Sequence, residues 1–188
     1  MKNLILIPAL TLATAVTLLI PSIAQAQTTN LFRNNAAPLQ AQFTENENGK
    51  ISRGTLTVGK NGQVRWERQT PYRETIVSNG RSAWAVDYGL NQATRLDPSA
   101  SQELSLALNG KIAQSRNYTA QISANAIVLA PKDGSPAPGM RITTDTNGFP
   151  VRIDFTGHRP HTIQFSGWTR KPNADFNYAP AKGMEIDG

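Results

Sequence analysis

The chain has 188 residues, a formal net charge of +6 and no cysteine. Without cysteine there is no thiol nucleophile, no thiol redox chemistry, no Cys-type zinc site and no lipid attachment to the chain itself. Lysine and arginine are spread along the sequence, which suits an anionic partner surface. Nucleic acid is a poor fit, because no recognition helix or aromatic nucleic-acid motif accompanies them.

The chain opens with the basic start Met1-Lys2-Asn3, an apolar run from Leu4 to Ile20, and the tripeptide Ala24-Gln25-Ala26. That order of charged start, apolar stretch and small-x-small site is a secretory signal peptide. Cleavage is expected after Ala26, leaving residues 27–188 as a single domain outside the cytoplasm. No later apolar run is long enough to span a bilayer as a helix. A short helix is expected from Thr29 to Ala37, ending before Pro38.

From Leu39 onward the sequence alternates between apolar and polar residues in short segments. Asn-Gly occurs at Asn48-Gly49, Asn61-Gly62, Asn79-Gly80, Asn109-Gly110 and Asn147-Gly148. Asn-Gly is the strongest short hairpin signal, because both residues tolerate positive φ. Between these turns Leu56 and Val58 share a face, as do Val64 and Trp66; Trp84, Val86 and Tyr88; Ile127 and Leu129; Met140 and Ile142; Val151, Ile153 and Phe155; and Ile163 and Phe165. A period of two on one apolar face means antiparallel strands with one buried and one wet side. Ten or eleven strands in a meander are expected. Trp168 breaks the alternation that Ile163 and Phe165 set up, and Gly167 between them is a natural bulge position.

One helix is expected after Asp97-Pro98, with Ser99 and Gln102 as a capping box, Leu104 and Leu108 on one face, and Asn109-Gly110 as the stop. The stretch Pro131 to Gly139 reads as a loop. A large antiparallel sheet with so little helix must curve to cover its apolar face. The fold class is therefore mainly β: an incomplete, half-open antiparallel barrel with short helices as a lid over its apolar interior.

Reactive chemistry is scarce. The two histidines, His158 and His161, flank Pro160 and read as surface residues of a loop. No Gly-x-Ser-x-Gly elbow presents a serine, and there is no P-loop or dinucleotide fingerprint. Asp87, Glu67 and Glu74 fall on strands and read as outward, solvated carboxylates. No enzyme activity, metal or cofactor is expected.

Several segments together resemble the LolA family of periplasmic lipoprotein carriers. They are Leu39-Gln-Ala-Gln-Phe43, Gly54-Thr-Leu-Thr-Val58, Val64-Arg-Trp-Glu67, Thr70-Pro71, Ile76-Val-Ser-Asn-Gly80, Trp84, Gln92-Ala-Thr94, Phe176-Asn-Tyr-Ala-Pro180 and Gly183. The resemblance runs in consistent order over nearly all of the chain after the leader. It implies an open barrel whose cavity holds the acyl chains of lipoproteins. It implies an inner-membrane ABC transporter that loads them, an outer-membrane receptor that accepts them, and a monomer that crosses the periplasm between the two. A lipid-sensing accessory protein with the same fold is the alternative.

On this resemblance the acyl-facing wall is assigned to Leu56, Val58, Val64, Trp66, Ile76, Trp84, Leu104 and Leu108. Lys60 stands where the family commonly has an arginine that holds the lid. Lysine is a point charge and does not reproduce that planar fork of donors. Val64 stands where many members have an aromatic residue, and Ala181 replaces the second proline of a closing Pro-Pro.

Overall fold

A computed structural model of the chain describes residues 38–108, 115–134, 138–157 and 160–187. The expected leader at residues 1–26, the expected helix Thr29 to Ala37, the Asn109-Gly110 stop and His158 lie outside the described residues.

Among the described residues the alternating segments form twelve strands of one sheet. They are β1 (Leu39–Glu47), β2 (Lys50–Val58), β3 (Gln63–Thr70), β4 (Glu74–Asn79), β5 (Ala83–Asp87), β6 (Gln92–Leu96), β7 (Tyr118–Ile122), β8 (Ala126–Pro131), β9 (Gly139–Thr144), β10 (Pro150–Thr156), β11 (His161–Arg170) and β12 (Glu185–Asp187). One helix, α1 (Ser99–Leu108), separates β6 from β7.

Asn48-Gly49 and Asn61-Gly62 take positive φ at both residues, whereas at Asn79-Gly80 and Asn147-Gly148 only the glycine does. Asn48 and Gly49 take φ of 52° and 84° and close a two-residue hairpin in which Glu47 faces Lys50. The sheet is not a single meander, however. Its order is β12-β6-β5-β4-β3-β2-β1-β11-β10-β9-β8-β7. Two meanders, β1 to β6 and β7 to β11, are zipped together by the antiparallel pair β1–β11. The twelfth strand was not expected. It is three exposed residues pairing in parallel with β6, and so short a segment carries no alternation signal.

The sheet must be strongly curled. Seven strand intervals separate β3 from β7, which would be roughly 34 Å in a flat sheet. Yet Ser105 and Glu103, two residues apart on α1, reach both ends of that span. The Gly62 N–H before β3 donates to the Ser105 hydroxyl at 3.1 Å. The Asn117 side-chain amide before β7 donates to Glu103 at 3.2 Å. Neither edge, β12 nor β7, pairs with the other, so the barrel stays open.

The inner face carries the main core: Leu39, Ala41, Phe43, Leu56, Val58 and Val64 on one side, and Ile127, Leu129, Ile142, Ile153, Ile163 and Phe165 on the other. Gly167 takes a φ of +66° opposite a register shift in β1, as its bulge position predicts. The shift turns Trp168 inward against the core, where its indole N–H donates to the Pro150 carbonyl at 2.7 Å. A second shift, at Pro150 in β10, breaks the pairing just before Val151, which is 36% exposed and not on the inner face with Ile153 as expected.

The outer face of β4 to β6 has a smaller apolar layer of its own, made of Val77, Val86, Ala93 and Phe176. The C-terminal segment closes over it. Asn79 donates to Asn177 at 3.4 Å, the Tyr178 ring lies 6.0 Å from Trp84, and Asn91 donates to the Gly183 carbonyl at 3.0 Å. Phe176→Ala removes a buried aromatic and is expected to cost about 3 kcal/mol of stability, read by thermal melting. An unchanged melting temperature would mean the segment only rests on the sheet.

Elsewhere the outer face is polar. Arg152 donates to Asp154 through Nε and Nη2, and the Thr162 hydroxyl donates to the same carboxylate at 3.0 Å, tying β10 to β11. The hydrogen bond from Arg152 holds the Asp154 carboxyl below its usual range, against the opposing effect of burial and with help from the Thr162 hydroxyl. A depressed folded-state pKa stabilises above the unfolded value and is lost as pH falls through the folded one. The melting temperature of Asp154→Asn should thus lie below that of the wild type at neutral pH and converge with it in acid.

Candidate functional site

The candidate site is the inner face together with the helix above it. Register places five of the eight assigned wall residues in two adjoining rows. Leu56 faces Trp66, which faces Ile76, and Val58 faces Val64. Leu56 is fully buried, and Trp66 is half-buried, with its ring 4.5 Å from Phe43 and edge-on to Phe165 at 6.2 Å. Leu104 packs against this cluster from α1. Leu108 closes the helix, and its side chain lies outside the described residues.

Trp84 does not belong to this wall. Its register partner in β4 is Val77, whereas Ile76 faces Ala85. Trp84 therefore lies on the opposite face, against Tyr178 of the C-terminal segment. The alternation within β5 was legible, but its phase relative to β4 was not. Both faces of β5 are apolar here, so the sequence carries no contrast to fix the phase.

The other half of the inner wall was not in the sequence assignment. An isoleucine ladder crosses four strands, pairing Ile163 with Ile153, Ile153 with Ile142 and Ile142 with Ile127. Alternation had flagged each residue singly. Only the β1–β11 pairing brings the ladder beside Phe43 and Trp66.

Asp97 precedes α1, and its carboxylate accepts from the Ser99 N–H at 2.9 Å. The expected Ser99–Gln102 capping box is not formed. Gln102 instead donates from its side chain to the Gly80 carbonyl at 3.2 Å. The Ser101 hydroxyl donates to Ser78 at 2.8 Å, and Ser105 accepts from Gly62. The helix is thus seated on the Asn61-Gly62 and Asn79-Gly80 turns. Lys60 is exposed in the same β2–β3 loop and contributes its carbonyl to Gln63 N–H. On this side of the sheet the latch contacts given by the described residues come from Ser101, Gln102 and Ser105, and on the β7 side Glu103 holds the helix through Asn117.

Glycine is required at this seat. A Cβ on Gly80, at a φ of +88°, would lie 2.1 Å from the Asn61 carbonyl oxygen. Gly80→Ala is therefore expected to push the two turns apart and speed hydrogen exchange of the α1 amides, with the inner strands little changed. Equal protection in α1 would show that the helix is held elsewhere.

At the opposite end of β1 to β4 the inner face becomes ionic. Arg68 donates to Glu45 at 2.9 Å and to Glu74, and Ser52 donates to Glu45 at 3.0 Å. Glu45 is 6% exposed. Glu74 is thus an inward, paired carboxylate and not the solvated one expected. Glu67, by contrast, lies on the outer face beside Arg65. His161 is no loop residue either. It opens β11, stacks on Phe155 at 4.1 Å and lies 3.8 Å from Glu45. An open cleft of about 230 Å³ borders this end, lined by Lys50, Ile51, Arg68, Tyr72 and Glu74 among others. Among the described residues no group of three His, Asp or Glu is placed to hold a metal.

An apolar inner wall, a helix seated above it and an ionic rim at one end therefore lie together on one face of the sheet. The family described as "Outer membrane lipoprotein carrier protein LolA" matches residues 35–177 of the chain. An outer-membrane lipoprotein carrier protein from Xanthomonas oryzae pv. oryzae is 32% identical, covering 88% of this chain and 88% of its own length. One from Methylococcus capsulatus is 29% identical over 87% of this chain and 89% of its own. The crystal structure of an uncharacterized conserved protein from Thermus thermophilus superposes with a TM-score of 0.52 at 14% identity, over 84% of this chain and 93% of that one, and shares the fold. With the family matched over most of the sequence and a relative above 30% identity, the chain belongs to the LolA family of outer-membrane lipoprotein carriers.

Proposed function

We propose that this protein is a non-enzymatic carrier that holds the acyl chains of lipoproteins against its inner face and moves them through the periplasm from the inner to the outer membrane. Residues 1–26 serve as the export leader and residues 27–188 as the carrier. The observation that carries this reading is the continuous apolar wall from Ile76 to Ile127, left unclosed at both sheet edges and overlaid by α1. Each acyl methylene taken out of water is worth about 0.8 kcal/mol, so a long chain binds strongly without shape-specific contacts.

Release needs a cover that opens at modest cost. The latch hydrogen bonds of α1 fit that need, each worth on the order of 1 kcal/mol. Loading by an inner-membrane ABC transporter and delivery to an outer-membrane receptor belong to the same proposal.

Native mass spectrometry of the protein purified from periplasm, with organic extraction, tests the reading. Co-purifying lipoprotein or acylated lipid is expected. Protein that stays bare even while the transporter is releasing lipoprotein would overturn it. Ser105→Ala with Gln102→Ala removes two of the latch bonds. That variant should exchange a bound acyl probe several-fold faster in stopped-flow measurements.

A further inference from the structure

The two edges of the sheet are not alike. β12 is three exposed residues, and the carboxylates of Glu185 and Asp187 guard it against further pairing. β7 has five residues with no charge and no proline, and it pairs with β8 without a register shift. Those features leave an edge open to another strand.

The bonds to β8 decide which groups the edge presents. The Ser123 N–H donates to the Ala126 carbonyl at 2.8 Å, and the Lys132 N–H to the Asn117 carbonyl at 2.8 Å. Bonded and non-bonded pairs alternate along an antiparallel ladder, so Thr119 and Gln121 also bond to β8. Tyr118, Ala120 and Ile122 then turn their backbone groups outward. The Tyr118 N–H donates to the Ser115 hydroxyl at 2.9 Å. Among the described residues no strand answers the N–H groups and carbonyls of Ala120 and Ile122.

The side chains of this edge belong to the inner wall. Ile122 faces Ile127 and is the last rung of the isoleucine ladder, and Ala120 faces Leu129. Ile127 and Leu129 are buried, whereas Ile122 is 49% exposed. The apolar wall thus ends at free backbone groups and a half-covered isoleucine.

We infer that β7 takes the polypeptide of the cargo as an added strand: the extended segment next to the acylated residue pairs with the Ala120 and Ile122 backbone and lays a side chain over Ile122. This rests on the carrier reading and gives the site a second handle besides the acyl chains. Main-chain pairing depends little on side-chain identity, so it suits any cargo with an extended, proline-free segment there. A few hydrogen bonds at an exposed edge hold a free peptide weakly. Acyl chains anchored on the wall keep the attached peptide at an effective concentration on the order of millimolar.

The test uses the purified carrier and two probes built on the same N-palmitoyl, S-dipalmitoylglyceryl cysteine. One ends at the cysteine, and the other continues for eight serine, alanine and asparagine residues. Hydrogen exchange at the Ala120 and Ile122 amides, read by NMR, is expected to slow tenfold or more with the long probe and to stay unchanged with the short one. Methylating every peptide nitrogen of the long probe blocks strand pairing and should remove the protection. Ala120→Pro deletes an outward donor without touching a bond to β8. It should weaken binding of the long probe severalfold and leave the short probe's affinity unchanged. Should that variant fail to fold, the methylated probe makes the same decision on the wild type. Binding of both probes without protection at Ala120 and Ile122 overturns the inference and leaves the carrier reading standing. Failure of both to bind overturns the carrier reading and the inference with it. Protection in the ligand-free protein that grows with protein concentration means that a second copy takes the edge, which also overturns the inference.

Discussion

Replacing Trp66 by glutamate is expected to abolish acyl binding while the sheet stays folded. Trp66 sits at the centre of the inner wall, in register with Leu56 on one side and Ile76 on the other, and its ring meets Phe43. A carboxylate there faces hydrocarbon in the loaded protein and costs several kcal/mol if it remains charged. At 1.4 kcal/mol per factor of ten, affinity falls at least a hundredfold. The folded state suffers less, because the position is half-buried and the new side chain can turn toward any water in the empty site. Far-UV circular dichroism and thermal melting confirm folding, and titration with a fluorescent lipopeptide gives the affinity. Trp66→Leu keeps the position apolar and should retain most of the binding. If the glutamate variant bound as tightly as the wild type, the inner wall would not be the acyl site.

Arg68→Ala should be the most destabilising single change at the ionic rim. Burial alone would lower the Arg68 pKa, but the charge of Glu45 and the hydrogen bond to Glu74 hold it above the ordinary guanidinium value. Removing the guanidinium leaves Glu45, which is nearly inaccessible, without its cation and facing Glu74. Breaking a fully buried pair from one side costs about 3–5 kcal/mol. Arg68 is partly exposed, so solvent screening brings the expected loss to about 2–3 kcal/mol. For a chain of this size that is a fall in melting temperature of roughly 5–10 °C. Adding Glu45→Gln should recover part of the loss, because the neutral amide no longer needs the cation. Additive effects of the two substitutions, with no recovery, would mean that the charges act independently.

Much of this architecture was legible in the sequence because it rests on local signals. Asn-Gly at four described turns and alternation on β2, β3 and β9 set the hairpins and the inward residues Leu56, Val58, Val64 and Trp66. What was illegible is long-range. The sequence does not announce that β1 pairs with β11, so the isoleucine ladder was seen as separate residues and not as the second wall. Trp84 was misplaced because β5 is apolar on both faces, one toward the inner core and one beneath Tyr178. Glu74 reads as a surface charge because nothing in a strand of alternating residues reveals that the inner face turns polar at one end. Ser101 and Ser105 carry no motif at all. Their role follows from which turns lie beneath them.

The pairing of β1 with β11 also governs the order in which the protein can be completed. The chain is made from its N-terminus, yet Phe43 finds Phe165 only after well over a hundred further residues have appeared. Any half-sheet of β1 to β6 formed before then has both edges bare, because β12, the partner of β6, comes later still, and it carries an uncovered greasy surface, a combination that favours aggregation. Contacts this distant in sequence also slow folding. A protein that carries greasy cargo thus exposes a greasy surface of its own until its last strands are in place, and its yield should depend on protection of the unfinished chain as well as on the stability of the finished fold.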